Sequence, residues 1–270
     1  MSYKLAVLGV GNMAKAVITG IQKSNVDVSA IYIFDKNKDQ YKALEQGRCS
    51  YIQCESIKDA VVRADCVLLA VKPQNYSEVL EEIKSVQDHN KKLYVSIAAG
   101  ITVQSISDAL GKANVVRVLP NLPMTVGVGV SVICKNPLVN DKDFAFVTSL
   151  FSSSGSVMII DESEMNRIIG VTSSSPAYVF KFIDAICKAA VAQGLSEDGL
   201  LDAVCDVFIG AATLLKHSKD TPTELISRVC SKGGTTEQAM NKLQEADIDT
   251  IILDAMIACT NRADELGNGK

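Results

Sequence analysis

The chain has no tryptophan, only two histidines, His89 and His217, and no run of five like charges in its 270 residues. Without a basic run, and with a formal net charge of −4, it offers no phosphate-neutralising surface of the kind that nucleic acid demands. The two histidines stand far apart, and none of the eight cysteines falls in a CxxC pair, so metal-ligand spacing is absent and no metal is expected. No window supplies about 20 uncharged apolar residues, the length of a membrane span. The most apolar stretch, Leu200–Leu215, carries Asp202 and Asp206 and reads as a buried helix. A short apolar start, Leu5–Leu8 behind Lys4, is cut off by Gly9 and Gly11 and reads as a strand rather than a signal peptide. A cytoplasmic protein with reduced, structural cysteines is therefore expected, and its partner is a small molecule, not nucleic acid or a membrane.

What is abundant is aliphatic: hydrophobic residues make up 47% of the chain but aromatics only 5%, a composition suited to helices packed on a buried parallel sheet. Over the first 160 residues short apolar runs alternate with helical patterns. Strands are expected at Lys4–Leu8, Ala30–Phe34, Ser50–Ile52, Cys66–Ala70, Leu93–Ile97, Val115–Leu119, Val130–Lys135 and Val157–Ile160. Helices are expected between them, at Asn12–Gln22, Lys38–Gln46, Ser56–Arg63, Tyr76–Ser85, Val103–Leu110 and Lys142–Ser153. Strands and helices in alternation predict an α/β fold, a Rossmann-type, doubly wound and mostly parallel sheet. After Asp161 the apolar spacing becomes three and four, and the rest reads as helices: Glu164–Gly170, Pro176–Gln193, Ser196–His217, Thr221–Val229, Gly234–Gln244 and Ile248–Leu266. Two domains are expected, residues 1–160 for the sheet and residues 161–270 all helical. Helices apolar round most of their circumference, such as Leu200–Leu215, need cover on several sides. A second copy of the chain is the expected cover, giving a dimer built from the helical domain, although a large internal core would explain the same pattern.

Gly9-Val10-Gly11-Asn12-Met13-Ala14 follows the first strand and opens the first helix. That is the GxGxx(G/A) dinucleotide fingerprint in its proper place: Gly9 for the turn, Gly11 for close approach of a pyrophosphate, Ala14 for helix–strand packing. Amides at the helix start then face the diphosphate. Asp35 ends the second strand, where a carboxylate accepts ribose hydroxyls and favours NADH, while Lys36 and Lys38 beside it could instead meet the 2′-phosphate of NADPH. Either nucleotide is left open. Ser231-Lys232-Gly233-Gly234-Thr235-Thr236 precedes a later helix and can serve as a cap or as an anion site.

Six collinear segments resemble the pyrroline-5-carboxylate reductase family: Gly11–Ala14, Ala70-Val71-Lys72-Pro73, Ser96–Thr102, Arg117–Pro123, Pro176–Phe180 and Gly233–Thr236. The resemblance implies NADPH- or NADH-dependent reduction of the imine Δ1-pyrroline-5-carboxylate to L-proline, by dimers or rings of dimers. It implies that Ala70, Lys72 and Pro73 lie near the nicotinamide ribose and that Ala98, Gly100 and Asn121, after the fifth and sixth strands, complete the cofactor site begun by Gly9, Gly11, Asn12, Met13, Asp35 and Lys36. Ser231, Gly233, Gly234, Thr235 and Thr236 become a clamp for the substrate carboxylate, with Thr236 as the catalytic hydroxyl beside the imine nitrogen. The sequence departs from the family at Ser173-Ser174-Ser175, where glycine–serine–glycine is usual, and at Lys232, usually proline. Two other readings stand beside it: a β-hydroxyacid dehydrogenase using Lys181 or Lys188 on the helix after Pro176, and a nucleotide sensor without turnover.

Overall fold

The computed structural model describes residues 2–44 and 47–267. Eight strands form one sheet: β1 (Tyr3–Leu8), β2 (Val28–Phe34), β3 (Tyr51–Gln53), β4 (Cys66–Leu69), β5 (Leu93–Ser96), β6 (Asn114–Leu119), β7 (Gly129–Lys135) and β8 (Gly155–Ile159). Their order is β3-β2-β1-β4-β5-β6-β7-β8, parallel through β6. β7 then turns back antiparallel to β6, and β8 runs parallel to β7. β4 (CVLL) and β5 (LYVS) are buried along their whole length, as central strands covered on both faces must be.

Helices α1 (Asn12–Lys23) and α5 (Asp141–Ser152) cover one face, and α2 (Ile57–Arg63), α3 (Tyr76–Lys84) and α4 (Val103–Ala109) cover the other. The alternation of β-strand side chains sorts the core accordingly: Leu5 and Val7 pack toward α1 and α5, Ala6 and Leu8 toward α2 and α3. Each fully buried Leu, Val or Ile contributes roughly 1.5–3 kcal/mol relative to exposure, so the two layers hold the sheet strongly.

Several segments differ from the sequence reading, each for a local reason. The helix expected at Lys38–Gln46 is a 3-10 turn, Lys38–Ala43, with Gln46 outside the described residues. Among the described residues there, Tyr41 and Leu44 are the buried ones, three residues apart, which is the 3-10 repeat. The helix expected at Glu164–Gly170 breaks into a 3-10 turn, Glu162–Glu164, and a short α6, Ile169–Thr172. Glu162 and Asn166 there turn their side chains to Val103 and Arg117 instead of presenting a helical face. The helix expected from Ser196 begins only at Leu200, because the Ser196 hydroxyl accepts the Asp198 N–H in a local turn and Gly199 adopts φ +70.

By compactness the chain divides into residues up to Pro176 together with those from Met256 onward, and Ala177–Ala255. Residues 161–176 join the first unit because Met165 and Ile169 are buried in its core, and Ala263 is buried there too. The second unit holds most of α7 (Ser175–Ala192), α8 (Leu200–His217), α9 (Pro222–Val229), α10 (Thr235–Glu245) and the start of α11 (Ile248–Gly267). α7, α9 and α10 bury no residue and α8 buries only Val204. Val207, Ile209, Leu214, Ile251 and Leu253 stand exposed, so no internal core accounts for the apolar circumference of these helices. None of the described helices is long and apolar enough to cross a membrane.

Candidate active site

The strand order reverses direction between β1 and β4, and the carboxyl edge at that point is where an open α/β sheet receives ligands. Gly9 leaves β1 at φ +89, and its N–H donates to the Phe34 carbonyl at 2.8 Å. A Cβ there would lie 2.8 Å from the Ala70 carbonyl oxygen, so the turn needs glycine on both counts. At Gly11, the N-cap of α1, a Cβ would meet nothing within 4 Å. Protein packing therefore does not explain Gly11; open space over a helix start with no side-chain cap is what a pyrophosphate requires. Asn12 is exposed, and Met13 packs against the α1 core.

Asp35 is tied into this loop. The Val10 N–H donates to its Oδ2 at 2.6 Å and the Asn37 N–H to its Oδ1 at 2.8 Å. Its own N–H donates to the Tyr41 hydroxyl, which donates in turn to the Asp35 carbonyl at 3.1 Å. Lys36 donates to both carboxylate oxygens of Glu78, at 2.8 and 2.9 Å. A crevice of about 430 Å³ is lined by Gly9, Gly11, Asp35, Lys36, Ala70 and Lys72 among others. Pro73 opens a 3-10 turn, Pro73–Asn75, with Lys72 as its N-cap. Thus eight residues expected at the cofactor, Gly9, Gly11, Asn12, Met13, Asp35, Lys36, Ala70 and Lys72, lie in or beside one turn-and-crevice system, with Pro73 adjoining.

Ala98 and Gly100 follow β5. Gly100 has φ +79, and a Cβ on it would sit 2.6 Å from the Ala263 carbonyl, so this turn fits the end of α11 only as glycine. Asn121 is buried with both ends of its amide used: Nδ2 donates to the Thr172 carbonyl at 3.0 Å and Oδ1 accepts the Val130 N–H at 2.8 Å. Its side chain holds the β6–β7 turn in place.

Three buried polar residues near this edge were not anticipated as such. The Tyr76 hydroxyl donates to the Leu69 carbonyl at 2.9 Å and stands 2.8 Å from Ser96 Oγ, and burial pushes that phenol well above its ordinary value. Arg117, 1% exposed, donates to Asn166 Oδ1 at 2.6 Å, with Glu162 at 3.8 Å. A serine and an arginine inside otherwise apolar strands were the available signal, since buried polar groups need partners.

The clamp segment lies in the second compact unit. Gly233 adopts φ +74, the Gly234 N–H donates to the Ser231 carbonyl at 2.9 Å, and α10 starts at Thr235 with Gly234 as an N-cap lacking any side-chain cap. Thr236 is half-buried, while Ser231, Lys232, Gly233 and Thr235 are exposed. The Gly233 N–H already meets an anion, Glu237 Oε2, at 2.8 Å. On α7, Lys181 and Lys188 both pair with Asp184, at 3.4 and 2.8 Å, as an exposed i,i+3 and i,i+4 set. The Ser173 hydroxyl is buried without a partner, and Ser175 donates to the Val171 carbonyl.

Residues 162–266 match the pyrroline-5-carboxylate reductase dimerisation family, and residues 4–100 the NADP oxidoreductase, coenzyme F420-dependent family. A pyrroline-5-carboxylate reductase of Escherichia coli (strain K12) is 33% identical over 98% of this chain and 99% of its own length. The chain belongs to the pyrroline-5-carboxylate reductase family. Another such reductase, from Arabidopsis thaliana, is 30% identical over 98% of this chain and 96% of its own length. The solved 1-pyrroline-5-carboxylate reductase of Streptococcus pyogenes superimposes with a TM-score of 0.88 at 28% identity, covering 98% of this chain and 99% of its own. A Plasmodium falciparum pyrroline carboxylate reductase with NADP bound gives a TM-score of 0.85 at 25% identity, covering 98% of both chains. The chain thus combines the family's NAD(P)-dependent oxidoreductase architecture with its helical dimerisation region.

Proposed function

We propose that the chain reduces Δ1-pyrroline-5-carboxylate to L-proline with NADPH or NADH, as the last step of proline formation. One observation carries this: identity of 33% to a pyrroline-5-carboxylate reductase runs over nearly the whole of both chains, so nucleotide half and helical half match together. When bound, the reduced nicotinamide supplies the hydride. Residues 1–160 place it: Gly9, Gly11, Asn12 and Met13 at the pyrophosphate, Asp35 and Lys36 at the adenosine ribose, and Ala70, Lys72, Pro73, Ala98, Gly100 and Asn121 at the nicotinamide end.

Residues 161–270 serve dimerisation and substrate. The hydroxyls of Ser231, Thr235 and Thr236, set by the Gly233-Gly234 turn at the start of α10, take the substrate carboxylate, which displaces Glu237 from the Gly233 N–H. Thr236 also donates a hydrogen bond to the ring nitrogen, orienting the imine and conducting the proton it gains. A second copy covers the exposed apolar faces of α8 and α11, and dimers can assemble into a larger ring. The family match and the Lys181–Asp184–Lys188 pairing both weigh against a dehydrogenase lysine.

The test is loss of NADH or NADPH absorbance on adding pyrroline-5-carboxylate, with proline measured as product. Turnover by the wild type and a clear loss in Thr236→Ala support the assignment. A folded oligomer that binds nucleotide tightly but turns over with neither cofactor sinks it.

A further inference from the structure

Lys36, the cation that lines the crevice beside Asp35, is held by a carboxylate, where a 2′-phosphate needs it free. Lys36 donates to both oxygens of Glu78, from the first turn of α3 and 42 residues along the chain. Lys38 lies 4.0 Å from Glu55, and Lys42 lies 2.7 Å from Asp39. Lys15, from α1, donates to Gln40 Oε1 at 2.8 Å. Asp35 is fixed by two backbone N–H groups, one on each oxygen, and lines the crevice.

These charges treat the two nucleotides differently. A carboxylate oxygen has a second acceptor position, so Asp35 can hold its loop amides and still receive ribose hydroxyls, which donate. A 2′-phosphate brings about −1.5 to −2 charge and only acceptors at neutral pH, and it would face Asp35 with nothing to share. Lys36 could swing away from Glu78, because an exposed pair is weak. That swing would leave the Glu78 charge bare beside the phosphate, so the gain from Lys36 is largely cancelled.

We propose that this corner selects NADH over NADPH, with Asp35 receiving the ribose hydroxyls and Glu78 withholding Lys36 from a 2′-phosphate; this rests on the placement of the nucleotide in the crevice given above. Glu78 is then a specificity residue that acts through its hold on Lys36.

The experiment is equilibrium titration of the intact protein with NADH and with NADPH, followed by nicotinamide fluorescence. The chain has no tryptophan to complicate that signal. Wild type is expected to bind NADH at least about tenfold more tightly than NADPH, the ratio that ~1.4 kcal/mol produces. Glu78→Gln should narrow that ratio by about threefold, an effect of the size expected for one exposed charge. Asp35→Asn should narrow it further, and Glu78→Gln covers the case in which Asp35→Asn disturbs the loop. NADPH binding as tightly as NADH to the wild type, or a ratio unmoved by Glu78→Gln, overturns the inference. Failure of both nucleotides to bind a folded protein overturns the cofactor placement itself, which is a different result.

Discussion

Asn121 and Thr172, 51 residues apart, are joined by a buried hydrogen bond of 3.0 Å from the asparagine amide to the threonine carbonyl. The same side chain accepts the Val130 N–H, so one residue satisfies two backbone groups from distant segments. Asn121→Ala orphans both, and leaving buried groups unpaired costs about 1–3 kcal/mol each. The expected result is a lower thermal midpoint, with nucleotide affinity reduced less than stability. Calorimetry beside nucleotide titration checks it; a midpoint unchanged from wild type refutes the structural role.

Gly9 and Gly11 should separate cleanly. Gly9→Ala forces a Cβ to within 2.8 Å of the Ala70 carbonyl in a left-handed conformation, and the strain is worth about 1–3 kcal/mol. Both stability and nucleotide binding should fall. At Gly11 the added methyl meets no protein atom, so Gly11→Ala should melt like wild type yet bind NADH or NADPH at least about tenfold more weakly. Equal affinity in Gly11→Ala would remove the pyrophosphate from this loop.

Thr236→Ala should lower kcat/KM for pyrroline-5-carboxylate by about a hundredfold, the scale of one positioned proton-transfer group. Nucleotide affinity should stay at the wild-type value, and Thr236→Ser, which restores the hydroxyl, should recover most of the rate. A serine variant as slow as the alanine one would show that the methyl, not the hydroxyl, matters.

Alkaline stability follows from the buried thiols. Burial pushes Cys54 from 9.0 to about 11, and burial with the nearby Glu162 charge pushes Cys134 to about 12. Below pH 9 both are protonated whether the chain is folded or not, and their contribution is fully present. Above it the unfolded chain releases protons that the folded one keeps, so stability falls as pH rises through 9 toward 11 for Cys54 and 12 for Cys134. The urea midpoint should drop between pH 8.5 and 10.5, and Cys134→Ala should lessen the drop relative to its own value at pH 8.

The nucleotide half was legible because its signals are local. A strand ending in Gly9-Val10-Gly11 states its own turn, and β-branched runs such as Ala30–Phe34 state theirs. What was not legible depends on partners distant in the chain. Nothing near Glu162 or Asn166 announces that their side chains serve Val103 and Arg117, so the apolar spacing alone predicts a helix where the chain makes turns. The role of Lys36 is ambiguous in the sequence for the same reason, because its partner Glu78 lies on α3, 42 residues away. At Asn121 the motif points to the ligand edge, but nothing local shows that its amide also ties the Thr172 carbonyl and the Val130 N–H. The return of β7 against β6 had no signature beyond its own apolar alternation.

That return sorts the turns of the sheet. Because β7 runs back, its first residue Gly129 shares the carboxyl edge with β6, and its last, Lys135, lies beside Val116 toward the other edge. The α4–β6 turn at Gly111 and Lys112, both at positive φ, occupies that other edge. Over descent, chain length can drift at such a turn while the crevice keeps its shape, and a surface tether or dye attached at Lys112 would report on the molecule without touching its chemistry.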